Sequence, residues 1–203
     1  GCDVWSSEGS FVQLRGDRTT DILFHGNSLG TEGSGSQKIH TVVHSWAEKV
    51  ADSILATYPD PKTLHNHHPG EWCYQNGFFV NALFALWQKT KRQDYWQYLV
   101  NWVDVFVTDD GVIDEQKYKR EKYNLDNILP GRLLISLYQE TQVEKYRKAA
   151  LYLMEQLKEH PRTSEDGYWH KQIYPYQMWL DGIYMAALFS VEFARNPSRG
   201  NGR

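Results

Sequence analysis

Leu86-Trp87-Gln88-Lys89-Thr90, followed by Tyr95, returns 51 residues later as Leu137-Tyr138-Gln139-Glu140-Thr141, followed by Tyr146. A third copy keeps only the apolar pair Leu188-Phe189, again 51 residues on, and each pair follows a small residue: Ala85, Ser136 or Ala187. A fixed period of this kind means that one supersecondary unit is repeated. The unit is too long for tetratricopeptide or ankyrin repeats and slightly long for HEAT repeats. Its contents are read from the apolar spacing on either side.

Six helical segments are predicted from Ser36 onward, separated by Pro, Gly and charged turns. Three are one-sided. The stretch from about Gln37 to Thr57 carries Ile39, Val43, Trp46, Val50 and Ile54 on one face and is ended by Pro59 and Pro61. About Arg92 to Thr108 carries Tyr95, Leu99, Trp102 and Val105, and about Val143 to Glu159 carries Tyr146, Ala150, Leu153 and Leu157. The other three, Phe78 to Trp87, Ile128 to Tyr138 and Met178 to Phe193, are apolar almost all round. A helix with no polar face must be buried on every side. One-sided and all-apolar helices alternate, so each unit is a helical hairpin, and adjacent hairpins build two concentric layers. The expected fold class is all-α, an α/α toroid or an irregular solenoid, with no convincing strand. Residues 1–36, rich in Gly and Ser, read as an irregular arm; 37–196 hold the three hairpins, and 197–203 are a tail.

The chain has 203 residues, room for one domain or two small ones. Apolar residues at 41% and charged residues at 23% exclude a disordered or collagen-like chain. Lys and Arg number 22 against 25 Asp and Glu, and the net charge of −3 provides none of the field a polyphosphate partner needs. Nucleic acid is not expected. No uncharged run reaches the roughly 18 apolar residues that would span a bilayer. Cys2 and Cys73 cannot form a disulfide framework. A cytoplasmic location is favoured; Gly1-Cys2 is also what the start of a processed lipoprotein looks like, so a periplasmic or lipid-anchored location is the alternative. The unusual figure is 14% aromatic residues.

The turns that lead from outer to inner helices gather at one end of a toroid, so polar residues before each inner helix converge. Those turns are Glu71 to Asn76, Tyr123 to Asn127, and Tyr168 to Lys171 running on to Asp181. They bring two carboxylates, Asp126 and Asp181, together with His170 and several rings to one mouth. Rings with a few carboxylates suit carbohydrate: sugar C–H faces pack on rings, and hydroxyls need polar partners. Asp181 is expected one turn inside a helix opened by Pro175, where the dipole favours its charged form. Burial among Trp179, Tyr176 and Tyr184 and the like charge of Asp126 would act the other way. The residues alone leave both readings open. Asp126, two residues after Asn124 near a helix start, is at a place where Asp is more often a cap than a catalyst; His170-Lys171 reads first as a loop pair, and the tryptophans first as core. His65, His67 and His68 lack the i, i+4 spacing of a helical metal site and read as a solvated loop, so neither metal nor cofactor is expected. Phosphate-cradling glycine loops, dinucleotide fingerprints and Gly-x-Ser-x-Gly elbows are missing.

The stretches Tyr123-Asn124-Leu125-Asp126 with Gly131-Arg132, His160-Pro161-Arg162-Thr163, Tyr168-Trp169-His170-Lys171 and Ile173-Tyr174-Pro175-Tyr176-Gln177-Met178-Trp179-Leu180-Asp181-Gly182 resemble the unsaturated rhamnogalacturonyl hydrolases, glycoside hydrolase family 105. The similarity runs from about Ile39 to Arg195, includes Tyr74-Gln75-Asn76-Gly77, and leaves the first 36 residues unmatched. It implies an (α/α)6 toroid of which six of twelve helices are present. It also implies hydrolysis of pectin-derived disaccharides that carry 4,5-unsaturated galacturonate, by hydration of the vinyl ether. Carried over, Asp181 is the acid and base, Asp126 its assistant, and His170, Lys171, Trp179, Tyr74 and Trp72 are subsite contacts. The near alternative is an unsaturated uronyl hydrolase acting on glycosaminoglycan disaccharides; the distant one is a helical-repeat carbohydrate-binding module without catalysis. Six helices are half of such a toroid, so a second chain or a C-terminal half is expected to close it, and the isolated chain is expected to show little activity.

Overall fold

The computed structural model describes the strands within residues 3–24, then residues 45–64 and 70–195; the histidines 65, 67 and 68 and the tail 197–203 lie outside the described residues. The chain divides into two compact units, Gly1–Val50 and Ala51–Arg203.

The first unit holds β1 (Asp3–Trp5), β2 (Phe11–Leu14) and β3 (Ile22–Phe24), an antiparallel meander in the order β1-β2-β3. Val4 faces Val12 and Val12 faces Phe24 in register. This corrects the expectation that there are no strands and that the arm is wholly irregular. Each strand is only three or four residues long, too short to show a period, yet each includes a β-branched and an aromatic residue, types that favour extended backbone once paired.

The helical unit is all-α. Its six helices among the described residues are α1 (Trp46–Thr57), α2 (Tyr74–Thr90), α3 (Gln93–Asp104), α4 (Gly131–Thr141), α5 (Glu144–Glu159) and α6 (Leu180–Arg195), the first beginning in the preceding unit. They follow the expected segments, with differences at the ends. Met178 and Trp179 precede α6 instead of opening it, and Pro175 lies five residues before its start. The third helix stops at Asp104, because Val107 pairs with Ile113 in a tight return at Gly111, which has φ +81°.

The 51-residue repeat has a physical meaning at the helix ends. Thr90 Oγ1 donates to Leu86 O at 3.0 Å, and its counterpart Thr141 Oγ1 donates to Leu137 O at 2.7 Å. Each hydroxyl also accepts from the backbone two residues on, Arg92 N or Val143 N. Lys91 and Gln142 then turn left-handed, at φ 53° and 57°, and close each helix by donating to Trp87 O and Tyr138 O. This αL ending satisfies orphaned carbonyls and reverses the chain into the next helix.

The inner layer is α2, α4 and α6; α2 packs on α4 and α4 on α6, while α3 lies against α2 and α5 against α4. This is the layering of a toroid segment. On the one-sided α3, Tyr95, Leu99, Trp102 and Val103 are buried, and on α5, Tyr146, Ala150, Leu153 and Leu157. Asp52 joins α1 to α3, accepting from Tyr95 Oη at 2.7 Å and pairing with Arg92 at 2.8 Å. The expectation of burial on every side holds for α4, where Leu133, Leu134, Ile135, Leu137 and Tyr138 are all buried. It fails for the other two inner helices: Phe78 on α2 is exposed, and on α6 Leu180 is 85% and Ile183 52% exposed, with Tyr184 and Val191 also open. Helix α6 packs against α4, α5 and the turn at Leu125–Asn127, and Tyr184 on it stacks on Phe78 of α2.

Candidate active site

The turn before α4 sets the first carboxylate. Residues Leu125–Asn127 form a 3₁₀ turn whose cap is Asn124, its side chain accepting from Asp126 N at 3.0 Å. Asn124 therefore takes the capping role that the sequence favoured for Asp126, and the Asp126 side chain is left for other partners. Asn124 also pairs with Lys171 as an isolated antiparallel bridge, and Leu125 N donates to His170 O at 3.1 Å. These backbone bonds fasten the turn to the 170–171 segment, Leu125 and His170 being 45 positions apart in sequence. Lys171 Nζ then lies 2.7 Å from Asp126 Oδ2, and His170 Nε2 lies 3.6 Å from Oδ1.

The 170–171 segment is held from behind. His170 N donates to Gln177 O at 2.7 Å, and Trp169 O accepts from His160 Nε2 at 2.7 Å, a bond that puts the His160 proton on that nitrogen. The His160 ring stands edge-on between Tyr123 and Tyr168. Burial away from water pushes its pKa down to about 4, so it is neutral at physiological pH. Burial lowers the His170 pKa too, against the opposing pull of Asp126 and Asp181. The His170 ring is 1% exposed and stacks on Trp179 at 4.2 Å with an 11° interplanar angle; Trp179 stacks in turn on Tyr174 at 5.3 Å.

Helix α6 brings the second carboxylate. Gly182 lets its first turn approach: a Cβ there would meet His170 Nδ1 at 2.9 Å and Leu125 Cδ1 at 3.1 Å. Asp181, one residue earlier, is exposed and accepts from Gly182 N at 2.9 Å. One ligand-type atom from each of Asp126, His170 and Asp181 lies within 4.8 Å of the others. The two carboxylates thus meet, although they come from elements 55 positions apart in sequence. The enclosure expected around Asp181 is not formed. Tyr176 is 74% exposed and turned to Trp169, at 4.7 Å, and Tyr184 stacks on Phe78 at 5.6 Å.

Tyr74, Lys171, His170 and Trp179 were all expected to contact substrate. Lys171, His170 and Trp179 are together at the acid pair. Tyr74 stands further along, edge-on to Phe78, which in turn stacks on Tyr184 one turn past Asp181. Trp72 corrects the expectation: it is 1% exposed, stacked on Trp102 at 5.5 Å with Phe106 and Tyr118 at its edges, and its Nε1 donates to Asn127 O at 2.8 Å. Burial of this indole makes it a core post beneath the Asp126 turn. Sequence reasoning missed Asn124 as the cap, Gly182 as the close approach and Tyr174 as the outer ring of the stack. An Asn two residues before the middle of a turn is a signal that could have found the first.

The Asp126, His170 and Asp181 group has a spacing a metal ion could use. Lys171 already supplies a cation at Asp126, and His170 Nδ1 is buried against Gly182 with no hydrogen-bond partner. The donor set therefore fits proton transfer better than metal ligation.

Over residues 46–200 the chain matches the family model described as Glycosyl Hydrolase Family 88, and it belongs to that family. A solved structure, described as the structural analysis of a family 105 glycoside hydrolase of C. acetobutylicum ATCC 824, is 37% identical with a TM-score of 0.67. The match covers 74% of this chain and 39% of that one, which supports the family 105 resemblance and the toroid; the chain spans about two fifths of the length of that relative. No helix among the described residues is long and apolar enough to cross a membrane.

Proposed function

We propose that this chain carries the acid–base machinery of a glycoside hydrolase that releases 4,5-unsaturated galacturonate from pectin-derived rhamnogalacturonan disaccharides. The observation behind the proposal is the meeting of Asp126 and Asp181 beside His170, Lys171 and the Trp179 ring.

The chemistry is addition of water across the C4–C5 double bond. Asp181, exposed at the rim, delivers a proton to C4, and the electron pair of the vinyl ether moves to form that C–H bond while positive charge is shared by C5 and the ring oxygen. Water adds at C5, and the carboxylate left on Asp181 takes its proton. The resulting hemiketal opens to a ketone at C5, C1 becomes a hemiacetal, and its collapse expels the aglycone as an alcohol. Asp126, ion-paired with Lys171, holds substrate hydroxyls and presents negative charge to the cationic transition state. The stack of Tyr174, Trp179 and His170 offers an aromatic wall for a sugar face, and neutral His170 can exchange a hydrogen bond without adding positive charge.

Replacing Asp181→Asn keeps the shape and removes the proton. The expected outcome is a fall in turnover of at least about 10²-fold with disaccharide binding largely kept, followed by loss of the conjugated uronate's ultraviolet absorbance. A variant that turns over at the wild-type rate would remove Asp181 from the mechanism. Running unsaturated glycosaminoglycan disaccharides in parallel fixes the aglycone class.

A further inference from the structure

The long connection between α3 and α4 returns beside the turn that carries Asp126 and leaves a depression of about 380 Å³ on that side. Lys117, Lys119, Lys122, Glu71, Asn124 and Asn127 contribute to its lining. In a chain of net charge −3, three ammonium groups here face a single carboxylate. Lys117 is anchored, its Nζ donating to Val105 O at 3.2 Å and lying over the Phe106 ring. Lys119 and Lys122 are exposed and enter no ion pair among the described residues. Their ammonium groups are donors only, so they suit a ligand that brings acceptors and negative charge. Asn124 Oδ1 accepts from Asp126 N and Asn127 O accepts from Trp72 Nε1, which leaves the Asn124 amide NH2 and the Asn127 carboxamide as groups of the kind that match sugar hydroxyls. The volume is enough for a sugar ring or two. Both asparagines belong to the short turn that carries Asp126, which joins the depression to the acid pair through the backbone.

We propose that this depression is an accessory subsite for a uronate residue of an acidic oligosaccharide, held through its carboxylate by Lys119 and Lys122. The proposal rests on the reading of the chain as acting on pectin-derived sugar. It extends recognition beyond the disaccharide at the acid pair, to the next acidic residue of a longer chain.

Saturated trigalacturonate is the probe, because it has no double bond to be hydrated. Titration calorimetry on the full chain should show binding that weakens at least fivefold in Lys119→Gln/Lys122→Gln, is kept in Lys119→Arg/Lys122→Arg, is unchanged in Asp181→Asn, and declines with added salt. Both lysines are exposed, so the variants retain the fold; in the wild-type chain, NMR shifts of the two Nζ groups on titration give an independent reading. No binding, equal binding of neutral maltotriose, an unchanged affinity in the double Gln variant, or a loss confined to Asp181→Asn would each overturn the subsite. Hydration of the unsaturated disaccharide, measured separately, should be unaltered in the double Gln variant. An Asp181→Asn variant that hydrates the disaccharide as fast as the wild type would instead count against the proposed function and leave the trigalacturonate result standing.

Discussion

Asp126 and Asn124 stand two residues apart in one short turn, and the division of labour between them decides what Asp126 is free to do. Because Asn124 caps the turn, Asp126 can pair with Lys171. Asn124→Ala should cost about 1 kcal/mol in urea denaturation and also depress turnover, since the freed Asp126 N–H competes for the carboxylate; a loss of stability with full activity would contradict this. Gly182→Ala pushes a methyl group into His170 and Leu125 and should cost about 1–3 kcal/mol while disturbing the His170–Trp179 stack, visible as a change in tryptophan fluorescence. His160 has a folded pKa of about 4 against an ordinary value of 6.5. Below pH 6.5 the unfolded chain binds a proton that the folded chain refuses, so this residue's contribution is complete above pH 6.5 and is lost as the pH falls toward 4, by at most about 3 kcal/mol. His160→Gln, which can still donate to Trp169 O, should flatten the dependence of unfolding free energy on pH across that window; an unchanged slope would show that His160 does not carry it.

At the level of helices, the part legible in the sequence was what packing writes into spacing. The Thr-capped, left-handed ends of α2 and α4 are why the 51-residue repeat was visible, and the buried leucines of α4 are why that helix read as inner. The beginning of α6 was not legible, because Pro175 signals a helix start wherever it occurs, while the backbone bonds of His170 and Tyr174 hold residues 170–177 in a turn instead. Trp72 was misjudged for a related reason: residue type does not distinguish a ring that faces sugar from one that supports a turn from below. The strands β1–β3 were missed because three-residue runs have no period to detect. Gly131 on α4 sits against side chains of both α5 and α6; a Cβ there would collide with Leu153 and lie 2.9 Å from Phe189. Gly131→Ala should therefore lower stability by about 1–3 kcal/mol, more than its gain in helix propensity restores, and a neutral or stabilising effect in thermal unfolding would refute the tight junction.

Across the helical unit, the middle inner helix is enclosed while its neighbours α2 and α6 keep exposed apolar residues. Leu180, Ile183 and Val191 on α6 face outward, whereas Leu133, Leu134 and Leu137 on α4 are enclosed. Ile183→Ser should thus shift the chain's stability by less than about 1 kcal/mol, and Leu134→Ala should cost about 2–5 kcal/mol. What made the site readable at this scale was the convergence of turns before the inner helices, which places Asp126, His170, Lys171 and Asp181 together; what hid the rest was that Tyr176 turns to Trp169 and Tyr184 to Phe78, ring contacts that spacing along the chain does not report. The most direct test of a shared role for the two carboxylates is a double-mutant cycle on vinyl ether hydration with Asp126→Asn and Asp181→Asn. Two groups working as one unit predict a double variant no slower than the slower single variant. Losses that multiply independently would contradict the pair.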